Sequence, residues 1–121
     1  RNFQTGTFDE AARISPEEIR VSHSRTRSSC VACTIGCEHI YSLQNDAGVR
    51  LEYESLFALG SLCGISDADI ILRAAKLCDD LGIDTISVGG TIAFAMECVE
   101  RGLLNLLLCR LCFLMLGASG G

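Results

Sequence analysis

Three cysteines lie close together in the stretch CVACTIGC, at Cys30, Cys33 and Cys37. Cysteine thiolates bind zinc and iron–sulfur clusters, and short spacers let successive sulfurs point at one centre. Zinc sites more often combine two C-x2-C pairs, or one pair with histidines, whereas an iron–sulfur cluster accepts a compact run plus a distant fourth cysteine. The run therefore predicts a metal centre, with an iron–sulfur cluster favoured.

A fourth ligand does not stand out elsewhere in the sequence. His39 could complete a zinc site, although a solvated or locally bonded histidine is the commoner case. Cys63 follows a predicted helix, and Cys109 and Cys112 lie in an apolar run, where a thiol ordinarily packs as a small hydrophobe. We therefore expect the fourth ligand to lie outside this chain, with a local site closed by His39, Cys63 or Cys109 as the alternative.

The composition predicts a folded chain in a reducing compartment. Of the 121 residues, 49% are hydrophobic and 21% are charged, which is enough apolar surface for a core. The net charge of -5 argues against a general nucleic-acid role, and we interpret the basic residues Arg20, Arg25 and Arg27 as a solvated helix end. Because eight cysteines occur without a signal-peptide pattern, free thiols in the cytoplasm fit better than a secreted disulfide scaffold.

The first half of the chain contains one clear helix start. In S-P-E-E, Ser15 can cap the helix while Pro16 occupies its first position, and we expect this helix to run to about Arg27. The cysteine run follows it. The N-D-A-G stretch at 45–48 predicts a turn, and the alternation around it allows a short hairpin.

The second half of the chain is predicted to be helical. Apolar residues at three- and four-residue steps predict a helix that begins at Ser66 and is closed by Gly82. A further helix is expected from Asp84 or Thr85 to Gly102. The apolar run 103–116 is too short to cross a bilayer, so we expect no membrane anchor.

Two adjacent glycines, Gly89 and Gly90, lie inside the last predicted helix. Glycine inside a helix costs about 1 kcal/mol relative to alanine. We therefore expect another helix or a ligand to approach the backbone closely at this point.

Four stretches of the chain occur together in the order found in a known family. They are NFQTGTFD, CVACTIGC, LEYESLFALGSLCGISDAD and LCDDLGIDTISVGGTIAFAMECVERG. From about Asn2 to about Leu103 the chain resembles the tungsten-containing aldehyde ferredoxin oxidoreductases. The resemblance implies a mainly α, multihelical middle segment of a longer enzyme, with a cysteine-rich loop after its first helix. A β-rich domain would precede the segment and a further helical domain would follow it.

The resemblance also assigns the cysteine run. It implies that Cys30, Cys33 and Cys37 are three ligands of a [4Fe–4S] cluster, and that the fourth ligand comes from the later domain. That domain lies beyond this chain, which agrees with the expectation from the residues themselves.

A second site is implied at the stretch DDLGID. It resembles a D-x-x-G-[LI]-[DC] turn that holds a pterin of a tungsten or molybdenum bis-pterin cofactor, and the implied contacts are Asp79, Gly82 and Asp84. A carboxylate can accept the adjacent N–H donors of a pterin edge, and a helix N-terminus favours anionic groups. Taken without the resemblance, the same residues also fit a glycine C-cap followed by an aspartate N-cap.

Two acidic residues lie in a stretch that resembles the family's E-Y-E-[ST], namely Glu52 and Glu54. In the family a glutamate in this region approaches the tungsten site and could relay a proton during aldehyde oxidation. We take Glu54 as the catalytic candidate. On the residues alone, both are ordinary acids in a first helical turn.

The expected organisation is a partial helical domain over 1–103, with the iron–sulfur cysteine loop at 30–37 and the pterin-binding turn at 79–84. We expect the atypical apolar tail at 104–121 to be non-native or truncated. The resemblance implies an enzyme that oxidises aldehydes to carboxylic acids, with ferredoxin, the aldehyde and the remaining domains of the parent chain as partners. The aldehyde, the choice of metal and the oligomeric state, a homodimer among the options, stay open.

Two other hypotheses compete with this one. The chain could be a small stand-alone iron–sulfur or zinc-binding module without catalytic activity. It could also be an isolated gene fragment that folds poorly and carries an accidental tail.

Overall fold

The chain folds into helices arranged around a small antiparallel sheet. A computed structural model describes residues 2–23, 25–43 and 48–105. A 3-10 turn at Ala11–Ile14 precedes the first helix, and a π-helical turn at Phe57–Ser61 continues the second. The helices and strands of the described residues are α1 (Pro16–Ser22), β1 (Arg25–Ser28), β2 (Glu38–Tyr41), β3 (Val49–Leu51), α2 (Tyr53–Leu56), α3 (Ala68–Leu81) and α4 (Thr85–Glu100). The mainly α prediction is confirmed, and the sheet is added to it.

Helix α1 begins as predicted but ends earlier. The Ser15 side chain accepts a hydrogen bond from the backbone N–H of Glu18 at 3.2 Å, and Pro16 occupies the first turn. The helix ends at Ser22, so the prediction that it runs to Arg27 is wrong. Residues 25–28 form β1 instead, because pairing with β2 provides their backbone groups with partners in the sheet. The cysteine run therefore follows a strand.

The sheet has the order β1-β2-β3, with both pairs antiparallel and β2 in the centre. Strands β2 and β3 are adjacent in sequence and confirm the predicted hairpin, while 44–47 of its turn lie outside the described residues. In β2, Glu38, His39 and Tyr41 are buried. The centre of the sheet thus encloses two polar side chains directly after the cysteine run.

Capping residues determine where α3 begins and ends and where α4 begins. α3 begins after Asp67, not after Ser66, because the Asp67 carboxylate accepts hydrogen bonds from two backbone amides at 2.9 and 3.2 Å. Gly82, with φ of +64°, ends α3 as predicted. Asp84 then caps α4 by accepting a hydrogen bond from the backbone N–H of Ser87 at 2.7 Å.

The main core lies between the sheet, α1, α2 and α3, and it is built from aliphatic side chains with one tyrosine. Its buried members are Ile14, Ile19, Tyr41, Val49, Leu51, Leu56, Leu59, Ile71, Leu72 and Ala75. A smaller cluster of Leu62, Cys63 and Ala93 packs α4 against the turn that follows α2. Among the described residues, no helix has the length and apolar character needed to span a membrane.

Of the two adjacent glycines inside α4, only Gly89 allows another part of the chain to pack closely against the helix. A Cβ on Gly89 would overlap the backbone carbonyl of Ala58 in the π-helical turn, whereas a Cβ on Gly90 would meet no atom within 4 Å. The predicted close approach is therefore confirmed at Gly89, and the approaching group is another helical turn.

Candidate functional site

The cysteine loop, residues 29–37, connects β1 to β2. The backbone N–H of Cys33 donates to the carbonyl of Cys30 at 3.0 Å, and Ala32 between them has φ of +62°. A tight turn thus brings the first two cysteines together in the chain. A non-glycine residue in this conformation costs of order 1–3 kcal/mol, so contacts elsewhere must hold the loop in place.

Arg27 supplies those contacts at the other end of the loop. Its Nε donates to the carbonyl of Gly36 at 2.8 Å, and its Nη2 donates to the carbonyl of Ile35 at 2.6 Å. Gly36 has φ of +57°, and a Cβ there would press against the Arg27 guanidinium at 3.3 Å. The interpretation of Arg27 as part of a solvated helix end is wrong, because strand β1 directs it onto the loop. Its charge-assisted hydrogen bonds fix the backbone immediately before Cys37.

The thiols of this loop have different electrostatic environments. Hydrogen bonds from the backbone of Gly36 and Ile35 lower the pKa of the Cys33 thiol. Burial raises the pKa of the Cys37 thiol, and the nearby carboxylates of Glu54 and Glu52 raise it further. These hydrogen bonds make the Cys33 thiolate, the form that metals bind, easier to generate than that of Cys37, which is close to the acidic end of α2.

The donor set fits an iron–sulfur cluster by its chemistry. It consists of three soft thiols with backbone N–H groups directed at one sulfur. Cys30 is exposed, while Cys33 and Cys37 are half-buried. Within the described ranges, no three side chains of His, Cys, Asp or Glu come close enough to hold a metal ion. The structure thus keeps the cysteines in one loop without gathering them around one point.

The local candidates for a fourth ligand differ in their surroundings. Cys63 is buried, with its sulfur 3.3 Å from the carbonyl of Ala58 and 3.5 Å from that of Gly89, as a small core residue would be. Cys109 lies outside the described residues. His39 is buried, not solvated, because it lies on the central strand.

The predicted pterin-binding turn joins α3 to α4. Asp79 and Asp84 are both exposed on either side of the left-handed Gly82. Hydrogen bonds from the side chain and backbone of Ser87 lower the pKa of the Asp84 carboxyl. Gly82 therefore acts as the C-cap of α3, and Asp84 acts as the N-cap of α4. The Asp79 carboxylate remains exposed at the surface.

Helix α2 lies close to both predicted sites. Glu54 is exposed in its first turn, close enough to Cys37 to affect the thiol. The hydroxyl of Ser55 is 2.8 Å from that of Thr85, the first residue of α4. Because α2 contacts both the cysteine loop and the start of α4, both predicted sites lie close to this helix.

Arg50 on β3 was missed by the sequence analysis. It forms an ion pair with Glu38, the residue after Cys37, and this contact lowers the pKa of the buried Glu38 carboxyl. Glu38 raises the pKa of Arg50, and the charge of Asp79 adds to that effect. Arg50 thus lies between the strand that follows the cysteine loop and the end of α3. Neither Glu38 nor Arg50 belongs to a motif, so no sequence signal marked them.

These observations define a mainly helical domain with one thiol-rich loop and a glycine turn between two helices. The sequence model of the family described as "Aldehyde ferredoxin oxidoreductase, domains 2 & 3" matches residues 1–113. The chain belongs to this family of oxidoreductases. The match continues past residue 103 into the apolar segment that the sequence analysis set apart.

Individual relatives agree with the family. The chain is 45% identical over 107 residues to a tungsten-containing aldehyde ferredoxin oxidoreductase of Thermococcus kodakarensis, covering 87% of this chain and 18% of the relative. It is 43% identical over 103 residues to the protein of that name from Pyrococcus furiosus, covering 84% and 17%. An aliphatic sulfonate oxidoreductase, WOR-like subunit, of Pyrococcus furiosus is 28% identical over 116 residues, covering 87% of this chain and 18% of the relative. The chain thus spans less than a fifth of the length of these curated relatives.

Proposed function

We propose that this chain is a helical segment of a tungsten-containing aldehyde ferredoxin oxidoreductase, which oxidises aldehydes to carboxylic acids. The observation that carries the proposal is 45% identity over 87% of the chain to a relative named for this activity. Because the chain covers 18% of that relative, the remaining domains would come from the rest of a longer protein. Ferredoxin in the cytoplasm would accept the electrons.

In this proposal Cys30, Cys33 and Cys37 bind a [4Fe–4S] cluster together with a fourth ligand from the rest of the protein. The cluster, when bound, supplies one-electron transfer. The chain's own contribution is positional and electrostatic. Arg27 holds the carbonyls that precede Cys37, and backbone N–H groups stabilise the Cys33 thiolate.

The α3–α4 turn binds one pterin of a tungsten or molybdenum bis-pterin cofactor in this proposal. Asp79 and Asp84 offer carboxylate oxygens to the N–H donors of the pterin edge, which suits a fork of two hydrogen bonds. One oxygen of Asp84 already accepts the Ser87 N–H, which fixes the orientation of that carboxylate. Gly82 has no Cβ to hinder approach to the turn.

Glu54 is the proposed proton carrier during aldehyde oxidation. Its carboxylate is exposed on the first turn of α2, where it can exchange protons with a bound substrate or solvent. The negative charge of Glu54 also raises the pKa of the Cys37 thiol, so the proposed proton carrier lies close to a proposed cluster ligand.

The cluster assignment is tested by metal analysis of the full-length protein that contains this chain, purified without oxygen. We expect about four iron and four sulfide per polypeptide, and a loss of most of both in Cys37→Ser, because a ligand has been removed. Cys78→Ala is the matched control, because Cys78 is buried in α3 away from the loop, and it should retain both. Stoichiometric zinc without iron would contradict the proposal and favour a zinc-binding module.

A further inference from the structure

His39 has an unusual position for a polar side chain. It lies on the central strand with 6% of its surface exposed, and its Nδ1 has no hydrogen-bond partner among the described residues. The imidazole packs beside the rings of Tyr41 and Tyr53, with centroids 6.0 and 6.2 Å away. A buried polar nitrogen without a hydrogen bond loses the stabilisation it would have in water, so a hydrogen-bonding group at Nδ1 is strongly favoured.

The pocket beside His39 also contains a proposed cluster ligand. Cys37, His39, Glu52 and Tyr53 line it together with apolar side chains. Cys37 immediately precedes β2 and His39 is the second residue of that strand, and both side chains line this one pocket. The pocket has space for about one water molecule, and its polar lining provides more than one partner for it.

We propose that one buried water bridges His39 Nδ1 and the sulfur of Cys37, which makes His39 a positioning residue for the cluster. This inference rests on the proposed function. A water has two O–H donors and two acceptor sites, so it can bond to Nδ1 in either imidazole tautomer and still donate to sulfur. Hydrogen bonds to cysteine sulfur stabilise the more negative, reduced cluster and raise its reduction potential.

The test is the reduction potential of the cluster in the full-length holoenzyme, measured by a redox titration followed by electron paramagnetic resonance. His39→Phe keeps a buried ring but removes the nitrogen, and we expect a shift to more negative potential with iron and sulfide unchanged. In His39→Asn the amide lies near the position of Nδ1, and we expect it to restore most of the wild-type potential. Leu51→Met is the control, because Leu51 lines the same pocket without a polar group.

The outcomes separate this inference from the proposed function. A wild-type protein without iron and sulfide would overturn both. A cluster whose potential is equal in wild type and His39→Phe would overturn the water bridge and leave the proposed function standing. Loss of iron in both His39→Phe and His39→Asn would also overturn the bridge, because His39 would then be required for cluster binding and would not act by tuning the potential of a bound cluster. A negative shift in His39→Phe that His39→Asn reverses supports the bridge.

Discussion

Glu38 and Arg50 show how a single ion pair can hold the strand that follows the cysteine loop. The Glu38 side chain is 5% exposed, whereas that of Arg50 is 64% exposed, so the carboxylate depends on the arginine more than the reverse. The two residues lie diagonally across β2 and β3, since Arg50 pairs with Ile40. Losing the guanidinium would leave a charged group enclosed by the sheet directly after Cys37.

We therefore expect Arg50→Met to lower the free energy of unfolding by about 1–3 kcal/mol at pH 7, because the buried Glu38 carboxylate loses a charge-assisted hydrogen bond and keeps the one from Ser28. Arg13→Met is the control, because Arg13 and Glu10 are both largely exposed and such pairs contribute roughly 0–1 kcal/mol. Urea unfolding of both variants measures the difference. Equal decreases in the free energy of unfolding in the two variants would show that the pair of the buried Glu38 with Arg50 stabilises the fold no more than the exposed pair of Arg13 with Glu10.

The pH dependence of this difference follows from the Glu38 carboxyl. Its pKa is lowered in the folded state from an ordinary value of 4.5, chiefly by the hydrogen bond with Arg50. The stability it contributes is therefore complete above pH 4.5 and is lost as the pH falls through the folded-state pKa. We expect the difference in free energy of unfolding between wild type and Arg50→Met to decrease over that acidic range.

At the scale of elements, the contact between α4 and the π-helical turn depends on one glycine. Gly89 and Gly90 are adjacent in sequence and both helical, yet only Gly89 faces the backbone of Ala58. Glycine content alone therefore does not distinguish the two positions. Packing decides which one tolerates a side chain.

Substitution of each glycine by alanine separates helix propensity from packing. We expect Gly89→Ala to destabilise the fold by about 1–3 kcal/mol, because its Cβ would overlap a backbone carbonyl that cannot move alone. Gly90→Ala should instead stabilise it by up to about 1 kcal/mol, because the site is open and alanine favours the helix. The denaturant midpoints of the two variants, each compared with wild type, show whether each substitution stabilises or destabilises the fold. A stabilised Gly89→Ala would contradict the close contact.

At the scale of the whole molecule, the described residues leave large apolar side chains exposed on the two long helices and beside the turn between them. Ile83 and Ile92, which are 45% and 42% exposed, line one open depression at the start of α4. The chain covers 18% of the Thermococcus relative, so the proposed parent protein would offer ample surface to cover this region. An exposed apolar depression of this kind promotes association in water.

We accordingly expect the 121-residue chain by itself to self-associate, and the double variant Ile83→Ser, Ile92→Ser to lower its average mass in solution. Val21→Ser is the control, because Val21 is 81% exposed on α1 but lies outside the depression. Sedimentation velocity over a range of concentrations measures the effect. A monomeric wild-type chain at every concentration would contradict this expectation.

The sequence alone determined three of the helix caps and most of the helical pattern. Ser15, Gly82 and Asp84 act as predicted because a cap bonds to backbone groups within about four residues of itself. The family was also visible in the sequence, since its motifs occur in order along the chain. The proposed site residues could be named for the same reason, as each lies in a short motif.

The tertiary structure decided what depends on distant residues. Residues 25–28 form a strand because their pairing partner lies at 38–41, beyond the reach of local propensity. The same pairing turns Arg27 onto the cysteine loop. The pairing of β2 with β3 brings Glu38 to Arg50 and, together with the first pairing, places the buried His39 on the central strand. Caps are local hydrogen bonds that neighbouring residues specify, whereas burial and strand pairing are set by segments that meet only when the chain folds.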